Sequence, residues 1–278
     1  TQRLEGAMLS YPTIDPVAVS IGSVNVHWYG LMYLIGFVSG AMLGRGRARK
    51  SYSSFQVHEI WDLLFFVAVG VIVGGRLGYV LFYNLDYYLA HPIEWLFIWS
   101  GGMSFHGGLL GVLIALWVFA RRTQRSFLEV GDFVAPLCPI GFGAGRIGNF
   151  INQELWGRVT DAPWAMVFPI AGPDSRHPSQ LYEAFLEGVL LFLIIWFYSR
   201  RPRLMGSVSG LFLFSYGLIR FWAEFYREPD VHLGPVAFGW ISMGQVLSIP
   251  MIFGGIALWL WAVRRKVNSP PTNKMNSF

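Results

Sequence analysis

Residues 141–157 read GFGAGRIGNFINQELWG, with a guanidinium (Arg146), the asparagine amides of Asn149 and Asn152 and a carboxylate (Glu154) set among Gly141, Gly143, Gly145 and Gly148. Glycine lets a backbone approach a ligand closely, and a guanidinium flanked by amides suits a polar, phosphate-bearing headgroup. The segment directly follows a membrane-length apolar run, which puts this chemistry at the edge of a bilayer. The expected substrate is a lipid.

Other polar residues fall inside apolar segments: His27 and Tyr29, Arg76 (GGRLGY), His106 (GGMSFHGG), and Arg220 and Arg227 (RFWAEFYRE). An arginine near the middle of a bilayer costs about 3 kcal/mol on insertion scales, so these need anionic partners or water. Glu183 and Glu187, one helical turn apart, and Glu224 can supply pairing. Arg76 and Arg220 read as internal ion-pair partners. Arg146 and Arg227, nearer the water and with fewer obvious fixed partners, read as phosphate ligands. Tyr29 is either a ligand or, with Trp28, part of an interfacial aromatic belt. His106, with glycine pairs on both sides, has room for its ring to accept a proton near neutral pH; a packed or capping histidine at a helix end is the competing reading.

Several chemistries find no pattern. There is no HxxxH, HExxH, GxSxG or GxxxxGK[ST]. The single cysteine, Cys138, lies between Leu137 and Pro139 with no adjacent cation to activate it, and reads as a buried structural residue. No metal site is expected.

The elements that must position these residues are membrane helices. The chain is 54% hydrophobic and 13% charged, with its apolar residues in long blocks, which excludes an ordinary soluble domain. Seven spans are predicted, at 26–43, 61–82, 103–120, 128–145, 181–198, 206–226 and 241–263. Basic residues concentrate in alternate connections, Arg45 to Lys50, Arg121 to Arg125, Arg200 to Arg203 and Arg264 to Lys266. By the positive-inside rule the N-terminus and the loops around Tyr87, Trp164 and His232 lie outside and the C-terminus in the cytoplasm. The unusual polar residues then gather toward the outer side. The net charge of +5 is a topology signal, not a nucleic-acid surface, because the cations punctuate the apolar segments.

The fold expected is all-α: one polytopic domain over 8–266, with 159–180 as an outer, periplasmic loop or arm. Residues 1–7 read as an upstream remnant and 267–278 as a disordered cytoplasmic tail. The first span reads as an anchor without a cleavable signal. The rival class is a transporter, which would carry ionisable residues along a path to both faces.

Five blocks, HWYGLMYLIGF (27–37), GGRLGYVLFYN (74–84), GGMSFHGGLLG (101–111), GRIGNFINQELWGR (145–158) and RHPSQLYEAFLEG (176–188), closely resemble the prolipoprotein diacylglyceryl transferases of bacteria. The likeness covers nearly the whole chain, and the signature GRxGNFxNxExxG is present without departure. The resemblance implies a seven-helix enzyme of the bacterial inner membrane with its site toward the periplasm. It would move the diacylglyceryl group of phosphatidylglycerol to the lipobox cysteine of a prolipoprotein signal peptide, forming a thioether and releasing glycerol phosphate. No cofactor is implied, and the partners are membrane lipid and the prolipoprotein. Carried over to this chain, the important positions are Tyr29, His106, Arg146, Asn149, Glu154, Gly157 and Arg227. His106 would accept or relay the thiol proton, or else bind the headgroup. Arg146 and Arg227 would hold the phosphate. Glu154 would orient an arginine, and Asn149 and Gly157 would shape the pocket.

Overall fold

The computed structural model describes residues 9–229 and 241–268. Residues 1–7, the loop position His232 and tail residues 269–278 lie outside the described residues. Among the described residues, five helical segments are long and apolar enough to cross a membrane: Glu59–Tyr83, Phe105–Arg122, Phe127–Ile151, Ser179–Tyr198 and Met243–Arg265. Two more helices occupy the remaining expected positions: Trp28–Ala48, which is less apolar, and Ser207–Ala223, which is apolar but has only 17 residues. The protein is a mostly helical, multi-pass membrane protein. Among the described residues, five short strands depart from the all-α expectation: β1 (Leu9–Ser10), β2 (Val17–Ile21), β3 (Val24–His27), β4 (Met166–Val167) and β5 (Ser175–Arg176).

Several boundaries differ from those expected. The first helix, α1 (Trp28–Ala48), starts at Trp28 because residues 24–27 pair with β2, and it carries Arg45 and Arg47 on its last turn. Arg146 does not end its helix, which runs on to Ile151. The last helix continues to Asn268, past the expected start of the tail.

Residues divide into two compact units, 41–134 and the remainder. In the 41–134 unit, α2 (Glu59–Tyr83) and α4 (Phe105–Arg122) cross antiparallel, with the short helix α3 (Leu85–Ala90) between them in the chain. Their backbones touch through glycines: a Cβ on Gly70 would lie 2.6 Å from the Gly111 carbonyl oxygen, and one on Gly78 2.7 Å from Gly107 Cα. In lipid, where apolar burial does not drive helices together, such close packing does. α2 leaves Trp61, Phe65 and Val73 exposed, as a lipid-facing surface would. α5 (Phe127–Val134) completes this unit.

The other unit holds α6 (Cys138–Ile151), α7 (Ser179–Glu183), a π-helical segment (Ala184–Leu190), α8 (Leu191–Tyr198), α9 (Ser207–Ala223) and α10 (Met243–Asn268). Its core joins Ala135, Leu191, Ile195, Val208 and Ile219. A second cluster, Tyr11, Phe150 and Phe168, packs the end of α6 against the strands, where β4 lies between β1 and β5. Tyr11 reaches from the N-terminal segment to the last turn of α6, its hydroxyl shared between the carbonyls of Phe150 (3.1 Å) and Ile151 (2.9 Å). The Phe150 carbonyl also accepts from Gln153 N–H (3.0 Å), and Tyr11 adds a donor to the last carbonyls of the helix that carries Arg146.

Candidate active site

Four elements bring charged residues to one place. α6 presents Arg146, α7 and the π segment present Glu183 and Glu187, and α9 with the residues after it presents Arg220, Glu224 and Arg227. Glu183 bridges two guanidinium groups: Oε2 is 2.8 Å from Arg146 Nη1 and Oε1 is 3.0 Å from Arg220 Nη1. Glu187 meets Arg146 Nε at 3.0 Å and Arg220 Nη1 at 3.7 Å. Arg220 also pairs with Glu224, whose Oε1 is 3.9 Å from Arg227 Nη1. Three arginines and three glutamates thus balance in charge. Glu183 and Glu187 are each 1% exposed, a burial that carboxylates tolerate only with such partners.

This pairing bears out the ion-pair expectation for Arg220 and for the three glutamates, and overturns the expectation that Arg146 has few fixed partners. Arg146 is held on both sides by carboxylates, because the helix carries it past the expected boundary and beside Glu183 and Glu187. The Glu183 Oε2 contact is ionic without hydrogen-bond alignment, which leaves that oxygen a spare acceptor. The π segment lies where two carboxylates must address two arginines, a place where such helical irregularities recur.

The loop after α6 folds back sharply. Gln153 (φ 53°) and Leu155 (φ 57°) are both left-handed, a conformation costing about 1–3 kcal/mol for such residues. Bonds on either side of Glu154 hold it: Glu154 N–H donates to the Asn149 carbonyl (2.8 Å), Gln180 Nε2 to the Glu154 carbonyl (2.7 Å) and Ser179 Oγ to the Leu155 carbonyl (3.1 Å). The Glu154 carboxylate then accepts from Asn149 Nδ2 (3.2 Å) and Asn152 Nδ2 (3.3 Å). Among the described residues it pairs with no arginine, which corrects the role expected for it. Tyr29 lies beside this pair, its ring edge-on to Tyr33 at 5.2 Å, so Tyr29, Asn149 and Glu154 make up one polar neighbourhood.

Gly157 is close to backbone, as expected, but the backbone belongs to this chain. A Cβ there would lie 2.7 Å from the Tyr226 carbonyl oxygen and would also clash with the His177 carbonyl. Gly157 forms an antiparallel bridge with Arg227, flanked by Arg158 N–H to Tyr226 O (2.9 Å) and Glu228 N–H to Trp156 O (3.2 Å). On its other side Gly157 N–H donates to His177 O (2.9 Å). The segment expected as an arm is ladder-bonded through Val159, Arg176 and His177, and the adjoining rung at Gly157 fixes where Arg227 leaves the backbone.

His106 and Arg76 lie in the 41–134 unit. His106 is the second residue of α4, exposed, with Phe105 edge-on to its ring at 5.6 Å. Ser104 caps that helix, its Oγ accepting from Gly107 N–H at 3.2 Å, and its own N–H donates to Gly75 O at 2.8 Å. Arg76 has carbonyl partners instead of the carboxylate expected: it donates to Trp95 O (3.0 Å), Glu94 O (2.6 Å), Gly101 O (2.6 Å) and Gly102 O (3.3 Å). It ties down the loop that enters the His106 helix.

Sequence reasoning missed Tyr11, because a lone aromatic near the N-terminus carries no pattern. It also missed Ser242, for which a signal existed: SMGQ at 242–245 is a helix capping box.

Residues 16–261 match the family described as prolipoprotein diacylglyceryl transferase. A phosphatidylglycerol–prolipoprotein diacylglyceryl transferase of Pseudomonas paraeruginosa is 59% identical over 263 residues, covering 95% of this chain and 99% of its own. Proteins of the same description from Oleidesulfovibrio alaskensis and Coxiella burnetii are each 58% identical, over 93% of this chain and 97% and 99% of their own.

Proposed function

This chain belongs to the prolipoprotein diacylglyceryl transferase family, and on that premise we propose how its polar residues carry out the transfer. The protein is an enzyme that moves a diacylglyceryl group from phosphatidylglycerol to a prolipoprotein. In our reading the acceptor is the thiol of the lipobox cysteine in the signal peptide. Its sulfur attacks the glycerol carbon that bears the phosphate. A C–S bond forms, the C–O bond to phosphate breaks, and glycerol phosphate leaves with the bonding pair.

That step needs a thiolate and stabilisation of the departing negative charge. The observation that carries the reading is the convergence of Arg146, Arg220 and Arg227 around buried carboxylates. Guanidinium groups in a dry, low-dielectric setting are strong ligands for phosphate oxygens. Arg227 is the one of the three at the limit of an ion pair with Glu224, and it takes the phosphate directly. Arg146, already engaged by Glu183 and Glu187, contributes its field and shares a donor as the leaving charge grows. Tyr29 and Asn149, neighbours in this site, offer a hydroxyl and an amide to the headgroup, and Glu154 orients that amide. Gly157 sets the position of Arg227 through the ladder. His106 accepts the thiol proton.

We further assign the protein to the bacterial inner membrane with seven crossings, the N-terminus and the 159–180 segment outside, and chemistry at the outer leaflet. Support comes from the basic residues on the opposite helix ends.

The test is transfer to a lipobox peptide in phosphatidylglycerol-containing detergent, followed by peptide mass. Wild type adds a diacylglyceryl mass and Arg146→Ala does not. For the proton, His106→Gln should slow single-turnover transfer at neutral pH by about a hundredfold or more. Near-normal single turnover would remove His106 from the base role.

A further inference from the structure

The last helix is fastened to the arginine cluster by one hydroxyl. Ser242 and Gln245 form a reciprocal capping box at the start of α10: Gln245 N–H donates to Ser242 Oγ (3.2 Å) and Ser242 N–H to Gln245 Oε1 (3.0 Å). The Ser242 proton is not needed for the cap, and it goes to Glu224 Oε2 at 2.6 Å. Ser242 is 3% exposed, Gln245 1% and Glu224 4%, so none of these bonds is shared with bulk water.

The two Glu224 oxygens are thereby divided. Oε2 is held by Ser242, and Oε1 serves Arg220, with Arg227 Nη1 3.9 Å away. We infer that Ser242 is a positioning residue for the headgroup site: its hydroxyl draws Glu224 toward α10 and keeps that carboxylate from closing on Arg227. Without the bond, a buried oxygen loses its donor, and the nearest compensation is rotation of the carboxylate onto the Arg227 guanidinium. Glu224 would then compete with the lipid phosphate for the same donors. Ser242 touches neither lipid nor peptide in this scheme; it acts through Glu224. The inference rests on the reading of Arg227 as a phosphate ligand.

The test is steady-state transfer by the full-length enzyme at varied phosphatidylglycerol mole fraction. Ser242→Ala should raise the apparent KM for phosphatidylglycerol about five- to tenfold with kcat changed much less, the signature of a competing internal anion. Gln245→Ala breaks the cap bond from the other side without touching Glu224 and should leave KM in place. In a Glu224→Gln background, where no carboxylate remains to compete, adding Ser242→Ala should shift KM no further. An unchanged KM in Ser242→Ala, or an equal rise in Gln245→Ala, would overturn the inference and leave the Arg227 reading standing. An unchanged KM in Arg227→Gln would instead remove that reading and this inference with it. If Ser242→Ala does not fold, Ser242→Cys keeps the volume with a weaker donor and is scored by the same KM criterion.

Discussion

Arg146 meets Glu187 side-on, Nε to Oε2 at 3.0 Å and Nη2 to Oε1 at 3.4 Å, from α6 across to the π segment. Glu187 is 1% exposed, so neither group could be left there alone. The signature arginine is therefore structural as well as chemical. Removing one partner of a buried pair strands the other and costs about 3–5 kcal/mol. Arg146→Ala and Glu187→Ala should each lower the thermal midpoint in detergent markedly, besides any loss of transfer. A variant of either residue with an unchanged midpoint would show that the pair does not hold the helices.

Arg227→Ala should behave differently. Its ion pair with Glu224 is at 3.9 Å, and its backbone bridge to Gly157 does not depend on the side chain. Transfer should fall by about a hundredfold or more, as when a donor to developing charge is removed. The thermal midpoint should move far less than in Arg146→Ala. Equal destabilisation by the two substitutions would place Arg227 in the structural network and count against it as a phosphate ligand.

The helices were legible because lipid imposes long apolar runs, and Glu183, Glu187 and Glu224 were legible as counter-ions because unpaired arginines cannot stay in those runs. Which arginine each glutamate takes was not legible. That depended on α6 continuing to Ile151, and glycine-rich sequence such as GFGAGRIGN has low helix propensity read alone. Packing against the π segment overrides it. The role of Glu154 was misread for a similar reason: its orientation comes from left-handed residues at Gln153 and Leu155, which no sequence pattern announces. Gly157 was legible as a close-approach position, but not the identity of what approaches it.

Gly157→Ala tests the ladder. The added methyl would sit 2.7 Å from the Tyr226 carbonyl oxygen and against the His177 carbonyl, both backbone atoms that cannot rotate away. Overpacking of this kind costs about 1–3 kcal/mol. The rung that places Arg227 would have to open, so transfer should fall much further than global stability. Hydrogen exchange at Arg158 and Glu228, whose amides donate to Tyr226 and Trp156, should speed up while α9 remains protected. Normal activity in Gly157→Ala would mean that the bridge does not position Arg227.

His177 gives the same ladder a pH dependence. Its Nδ1 is 3.1 Å from the Tyr182 hydroxyl, which accepts from Trp164 Nε1 at 2.6 Å and so directs its own proton to the imidazole. Burial holds the His177 pKa below its ordinary value of 6.5. A neutral ring is thus favoured in the folded state, and the unfolded chain binds the proton more readily. Stability from this site is complete above the ordinary histidine pKa and declines as pH falls through it toward the lowered folded value. Between about pH 7.5 and 5.5 the wild-type thermal midpoint should drop further than that of His177→Gln, which has no proton to bind. Parallel pH profiles for the two proteins would exclude His177 as the source. A steeper fall in the variant would mean that protonation strengthens the ladder, the reverse of what a half-buried acceptor ring requires.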